Sequence, residues 1–189
     1  MIGYNGETTT LNGQKVSKND PVIHLEGAAD ELNAHLGLVK SLISEEDTRI
    51  FIDGVQANVM KLMAHVSAPE NRDFFITDNE IAVLEKKTAE LSPPPESYPT
   101  GFQLPGKNAV EAQIHIARTV ARRAERMFVA VNEGSLLPLR LNLNFGAYLN
   151  KLSEFLFVLG LQNNNMEGTR PLIIMEGTPP LRGEPYPTL

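Results

Sequence analysis

The sequence predicts an all-α protein, a bundle of four or five helices packed antiparallel with left-handed crossings. Three observations predict it. Apolar residues recur in alternating steps of three and four along several long stretches, which lays each set in a seam on one helix face. The heptad-like spacing of those seams favours the shallow, left-handed packing of helix bundles. Polar residues on three of the stretches stand one position after a seam residue, so the bundle carries one polar, cationic edge. At 189 residues the chain suits one domain with a sizeable core.

Composition narrows the function classes. Net charge is −6 and the pI about 5.3, so the broad basic field of a nucleic-acid binder is lacking. There is no cysteine, which excludes disulfides and thiolate chemistry. No run of about 18 apolar residues offers a membrane span. Met1–Thr10 has neither the charged nor the apolar region of a signal peptide. The expectation is a cytoplasmic protein with a small anionic ligand.

Residues 1–20 are rich in glycine, threonine and asparagine, which is loop chemistry. Gly3, Gly6 and Gly13 allow close backbone approach, Thr8, Thr9 and Thr10 offer hydroxyls, and Lys15 and Lys18 offer charge. Such a segment can cradle phosphate without the Walker pattern, or it can be a polar terminus. Asp20-Pro21 then starts a helix, with an acid at the N-cap and proline at the first position. Leu25, Ala29, Leu32, Leu36, Val39 and Ile43 form its seam, with Asp30, Asn33 and Gly37 one residue behind. Asp30 is either solvated or paired with an arginine from another helix. Glu31 reads as a solvated residue.

Glu45–Ser67 carries a seam of Ile52, Val55, Val59, Leu62 and Val66. Met60 and Met63 read as core filler, and His65 as a helix-end histidine. Thr77-Asp-Asn-Glu80 is a capping box that opens a short helix through Ile81, Leu84, Thr88 and Leu91. Prolines at 93, 94, 95, 99 and 105 then break helix outright. This connection ends in Gly101-Phe-Gln-Leu-Pro-Gly106, which sets an aromatic just ahead of the next helix.

That helix, expected from Asn108, carries the strongest chemical signal. Its seam is Ile114, Ala117, Ala121, Ala124, Phe128 and Val131, flanked by Arg118, Arg122 and Glu125. Arg123 and Arg126 bring the arginines to four in nine residues. Such crowding is unfavourable unless something anionic meets it, and the run is either an anion site or a solvated helix face that Glu125 quiets. Guanidinium grips phosphate or carboxylate with two parallel hydrogen bonds, which an amine cannot do. Glu111 and His115 are four apart, not the three of the di-iron Glu-x-x-His motif, so a ferritin-like metal site is set aside. The last helix has Phe145, Leu149, Leu152, Leu156 and Leu159 in its seam. Asn150, beside Lys151 and a turn before Glu154, either sets helix register or donates to a phosphate or ribose. From Asn163 the chain becomes an irregular tail with one apolar island, Pro171–Met175.

Four stretches, in order, resemble the PduO-type ATP:cob(I)alamin adenosyltransferase family. They are Gly27-Ala-Ala-Asp-Glu-Leu-Asn33, Phe102-Gln-Leu-Pro-Gly106, Ala117-Arg-Thr-Val-Ala-Arg-Arg-Ala-Glu-Arg126 and Tyr148-Leu-Asn-Lys-Leu-Ser-Glu-Phe-Leu-Phe157. The resemblance implies a five-helix bundle assembled as a homotrimer with active sites between subunits. It implies transfer of the adenosyl group of ATP to the cobalt of reduced cobalamin, with Mg2+ assisting, and a cobalamin reductase or acceptor enzyme as partner. By resemblance, Gly3, Thr8 and Lys18 hold the nucleotide, Arg122 and Arg123 the triphosphate, with Glu125 and Arg126 in the same run and Asn150 as a further nucleotide ligand. Asp30 and Arg118 match a pair that joins subunits, and Phe102 an aromatic that displaces the lower axial ligand of cobalamin. The family loop usually reads Thr-x-Thr-Gly-Asp-x-Gly, whereas here Ile2 replaces the second threonine and Tyr4 the aspartate. Lys151 and Glu154 replace a usual arginine and aspartate. The alternative is a bundle that binds nucleotide or corrinoid without turnover.

Overall fold

Three of the helices begin where a side chain satisfies the first free backbone donors. The Asp20 carboxylate accepts from the amide of Val22 at 2.9 Å, and Pro21 occupies the first turn. This opens α1, Pro21–Leu42. At the third helix the capping box forms in both directions between Thr77 and Glu80, a device that contributes about 1 kcal/mol. The Asn108 side chain accepts from the amide of Glu111 at 2.8 Å, so the fourth helix starts one residue past the expected position.

A computed structural model describes residues 5–10, 13–98, 104–134 and 141–163 of the chain. After α1 come α2 (Glu46–Ser67), α3 (Asp78–Leu91), α4 (Ala109–Gly134) and α5 (Asn144–Gln162). The region expected as loop contains a two-stranded antiparallel hairpin, β1 (Glu7–Thr9) with β2 (Lys15–Ser17). Thr8 pairs with Val16, whose side chain is buried. Gly13 takes a φ of +85°, the left-handed conformation that lets the hairpin turn close.

Successive helices alternate in direction. Gln56 reaches the Asn33 carbonyl and Ser67 reaches Glu26, which sets α2 antiparallel to α1. Glu125 meets Asn150 and His115 meets Gly160, which sets α5 antiparallel to α4. By the same alternation α3 and α5 run side by side in one direction, tied at their starts by Asn144 to Asp78 and at their ends by Gln162 to the Leu91 carbonyl. α1 and α4 pack together across the middle, α2 lies outside α1, and α3 lies outside α5.

The seams meet in one core. Leu25, Leu32, Leu36, Ile52, Leu62, Ile114, Leu149 and Phe155 are fully buried, each worth about 1.5–3 kcal/mol over exposure. Met63 packs on this core, but Met60 is 57% exposed and is not core filler, because it sits on the face of α2 away from the seam. His65 does end α2, yet it is fully buried. It stacks on Phe145 with ring centroids 5.3 Å apart and accepts from the amide of Asn142 at 2.9 Å.

Candidate functional site: the cleft between α4 and α5

The α4 seam is buried along its length, which forces its flanking arginines to the two sides of the helix. Toward α5, Arg118 and Arg122 line a cleft of about 460 Å³. Ser153, Glu154, Phe157 and Val158 of α5 form the facing wall, and Thr88, Ser92 and Tyr98 close one end. Arg122 is exposed, and no ion pair holds it among the described residues. Glu125 is engaged sideways, accepting from the Asn150 amide at 2.9 Å, so Asn150 is fixed to the same flank. The Ser153 hydroxyl donates to the Asn150 carbonyl at 2.8 Å.

Behind Arg118 lies a chain of polar groups. Its Nε donates to His115 Nδ1 at 3.1 Å, and His115 Nε2 lies 3.2 Å from Glu111 Oε1. The other oxygen of Glu111 accepts from the amides of Gly106 and Lys107 at 2.6 and 3.1 Å. Burial lowers the pKa of His115 below its ordinary 6.5, and the neighbouring Arg118 adds to this while Glu111 opposes it. Burial, then the charge of Arg122, lowers the pKa of Arg118. Two guanidinium groups at one half-buried wall favour an anion between them and the solvent.

Toward α1 the picture differs. Arg123 is ion-paired with Glu31, which is therefore not the merely solvated residue the sequence suggested. Arg126 is exposed. Asp30 is exposed as well, with no hydrogen bond or ion pair among the described residues, so within one chain it does not meet Arg118. Thr8 and Lys18 lie on the hairpin and at its end and are not among the residues that line the cleft. Gly3 and Phe102 lie outside the described residues. Lys151 bridges Glu85 and Glu154 at 3.2 and 3.1 Å, which ties α3 to α5 at the cleft's rim.

Sequence reasoning assembled Arg118, Arg122, Glu125 and Asn150 and missed the cleft's other walls. Phe157 lay in the matching stretch of the last helix and Thr88 in the spacing of the third, but nothing marked either as a cleft residue, and no spacing rule marked Tyr98. No cluster of three or more histidine or acidic side chains suited to a metal exists among the described residues.

The sequence profile of the family described as cobalamin adenosyltransferase matches residues 2–162. The corrinoid adenosyltransferase PduO of Salmonella typhimurium is 32% identical over 165 residues, covering 83% of this chain and 46% of that protein. The chain thus spans about half the length of the PduO relatives it matches. The cobalamin adenosyltransferase of Cupriavidus metallidurans is 34% identical over 172 residues, covering 88% of this chain and 87% of that protein. Among solved structures, a variant PduO-type ATP:corrinoid adenosyltransferase from Lactobacillus reuteri, complexed with cobalamin and ATP, superposes with a TM-score of 0.76. It shares 25% identity over 90% of this chain and 92% of its own.

Proposed function

Because this chain belongs to the cobalamin adenosyltransferase family, we propose that it transfers the 5′-deoxyadenosyl group of ATP to the cobalt of cob(I)alamin. The observation that carries the proposal is the pair Arg118 and Arg122 on one wall of the α4–α5 cleft, with Asn150 fixed beside them. Cobalt(I) attacks the 5′ carbon with its own electron pair. A cobalt–carbon bond forms, the bond from carbon to the triphosphate oxygen breaks, and triphosphate leaves with that bond's electrons. Cobalt is the nucleophile, so no side chain need act as a base. The protein's task is to align the 5′ carbon and to stabilise charge on the departing triphosphate. Arg122 and Arg118 perform the second task, with Arg123 and Arg126 adding field.

Magnesium fits as a companion of the nucleotide. Glu154 is the carboxylate among the residues lining the cleft, so the phosphates would supply most of the ion's oxygen ligands. Bound there, the ion would neutralise part of the triphosphate charge. Gly3, Thr8 and Lys18 are proposed to close over the nucleotide, and Phe102 to act on the corrinoid side. We also read the protein as a homotrimer, with Asp30 of one copy meeting Arg118 of the next. The exposed Asp30, which has no partner among the described residues, supports that pairing. A separate reductase must supply cobalt(I). No helix among the described residues is long and apolar enough to cross a membrane, and a cytoplasmic location is part of this proposal.

The test is anaerobic. Mixing the protein with cob(I)alamin, ATP and Mg2+ should convert the visible spectrum to that of adenosylcobalamin. An unchanged spectrum, with ATP still bound by calorimetry, would make this a nucleotide-binding bundle without turnover.

A further inference from the structure

The geometry points to a positioning relay behind the cleft, in which Glu111 and His115 fix the Arg118 guanidinium and tie it to the backbone of the loop ahead of α4. The inference rests on reading the α4–α5 cleft as a polyphosphate site.

A carboxylate that is only 1% exposed, as at Glu111, needs several donors to persist. It has three: the amides of Gly106 and Lys107 on one oxygen and His115 Nε2 on the other. Gly106 takes a φ of +108°, a conformation that side chains resist, and so presents two consecutive amides to one oxygen. Arginine has no acceptor, so its Nε–H must donate to His115 Nδ1, which therefore carries no proton. A neutral ring then keeps its proton on Nε2, facing Glu111. Burial favours that neutral form. Among the described residues the other charge bearing on the ring is Lys107, on the same loop, and the α5 side offers Gly160 and Phe157. A Cβ at position 160 would lie 3.2 Å from Nε2, so the glycine seats the ring against the α5 backbone.

Each link has one orientation, and the result is directional. The Nε of Arg118 is engaged from behind, which leaves its two terminal NH2 groups for a phosphate or carboxylate. The loop that Glu111 holds is the one that follows Phe102 in the chain. One buried carboxylate therefore anchors both the start of α4 and the cleft arginine. His115 and Glu111 touch no substrate in this arrangement; they act through Arg118.

A double-mutant cycle with ATP as the probe tests this on the full chain. His115→Phe should weaken ATP binding about tenfold by calorimetry, and His115→Asn, which keeps an acceptor for Arg118, should recover most of it. Adding His115→Phe to Arg118→Ala should cost no further affinity. Full additivity, or wild-type affinity in His115→Phe, would overturn the relay. Nitrogen NMR of the wild-type histidines needs neither variant nor ligand. The Nε2–H tautomer at neutral pH is expected for His115, and an Nδ1–H tautomer or an imidazolium ion overturns the relay whatever ATP does. If the wild type binds no ATP yet shows the expected tautomer, the polyphosphate reading falls and the relay stands.

Discussion

On the two sides of α5 lie two clefts of opposite chemistry. Toward α4, the cleft of about 460 Å³ is walled by Arg118, Arg122, Ser153, Glu154 and Phe157. Toward α2 and α3, a cleft of about 300 Å³ is walled by Ile50, Phe51, Val55, Val83, Leu84 and Tyr148. The second side pairs polar groups across its helices. Asn58 donates to the Tyr148 hydroxyl at 3.2 Å, and Lys61 pairs with Glu80 at 3.0 Å. The first side leaves Arg122 open. A histidine packs into each side too, His65 fully buried against Phe145 and His115 half-buried against Gly160. One helix thus serves as a structural wall on one face and a binding wall on the other. The difference lies in whether the neighbouring helix satisfies its polar groups internally.

The comparison breaks most severely if the two sides are not separable. Phe155→Ala removes a fully buried ring that packs on Phe51, with centroids 5.2 Å apart. Stability should fall by about 3–4 kcal/mol in urea denaturation, and ATP affinity of the folded fraction should hold. A large loss of ATP affinity would mean that the two faces are coupled. Arg122→Ala should do the reverse. Losing an open, charge-assisted contact should weaken ATP binding about 100-fold, or about 2.7 kcal/mol. Denaturation should shift by no more than about 0.5 kcal/mol, since the side chain is exposed. Unchanged ATP affinity in that variant would remove the cleft from the site.

Periodicity explains what was legible in the sequence. The seams of α1, α2, α4 and α5 are all buried where their spacing put them, because a helix period fixes a face without knowledge of its partner. The flank carrying Arg118, Arg122 and Glu125 followed from the same arithmetic. Which partner each flank meets depends on the rotation of neighbouring helices, and no local spacing encodes that. Hence Arg123 found Glu31 on α1, and Tyr98 and Thr88 arrived from elements distant in sequence. The spacing of three between His115 and Arg118 allowed both on one face, but Glu111 was weighed only as a metal partner of His115. Their actual partners include loop amides, which carry no side-chain signature. The N-terminal hairpin escaped for a related reason, since three-residue strands are too short to show alternation.

The two histidines sharpen the comparison through pH. Burial lowers the pKa of His65 below 6.5, with Glu70 opposing, as burial lowers that of His115. The unfolded chain therefore binds more protons than the folded one just below that value, so stability is present above it and is lost as pH falls through it. The consequences diverge. A proton on His115 Nδ1 would break its bond from Arg118, so ATP affinity should fall along with stability. A proton on His65 reaches no cleft residue, and only stability should respond. His65→Gln, which keeps an acceptor for the Asn142 amide, should flatten the decline in denaturation midpoint between about pH 7.5 and about pH 5.5. The pH dependence of ATP affinity should be that of the wild type. Measuring both in the same buffers cancels the opposing effect of Glu26, whose carboxyl burial pushes up. A His65→Gln protein with the full stability slope would place the titration elsewhere, and one with altered ATP affinity would show that the structural wall of α5 reaches the binding wall after all.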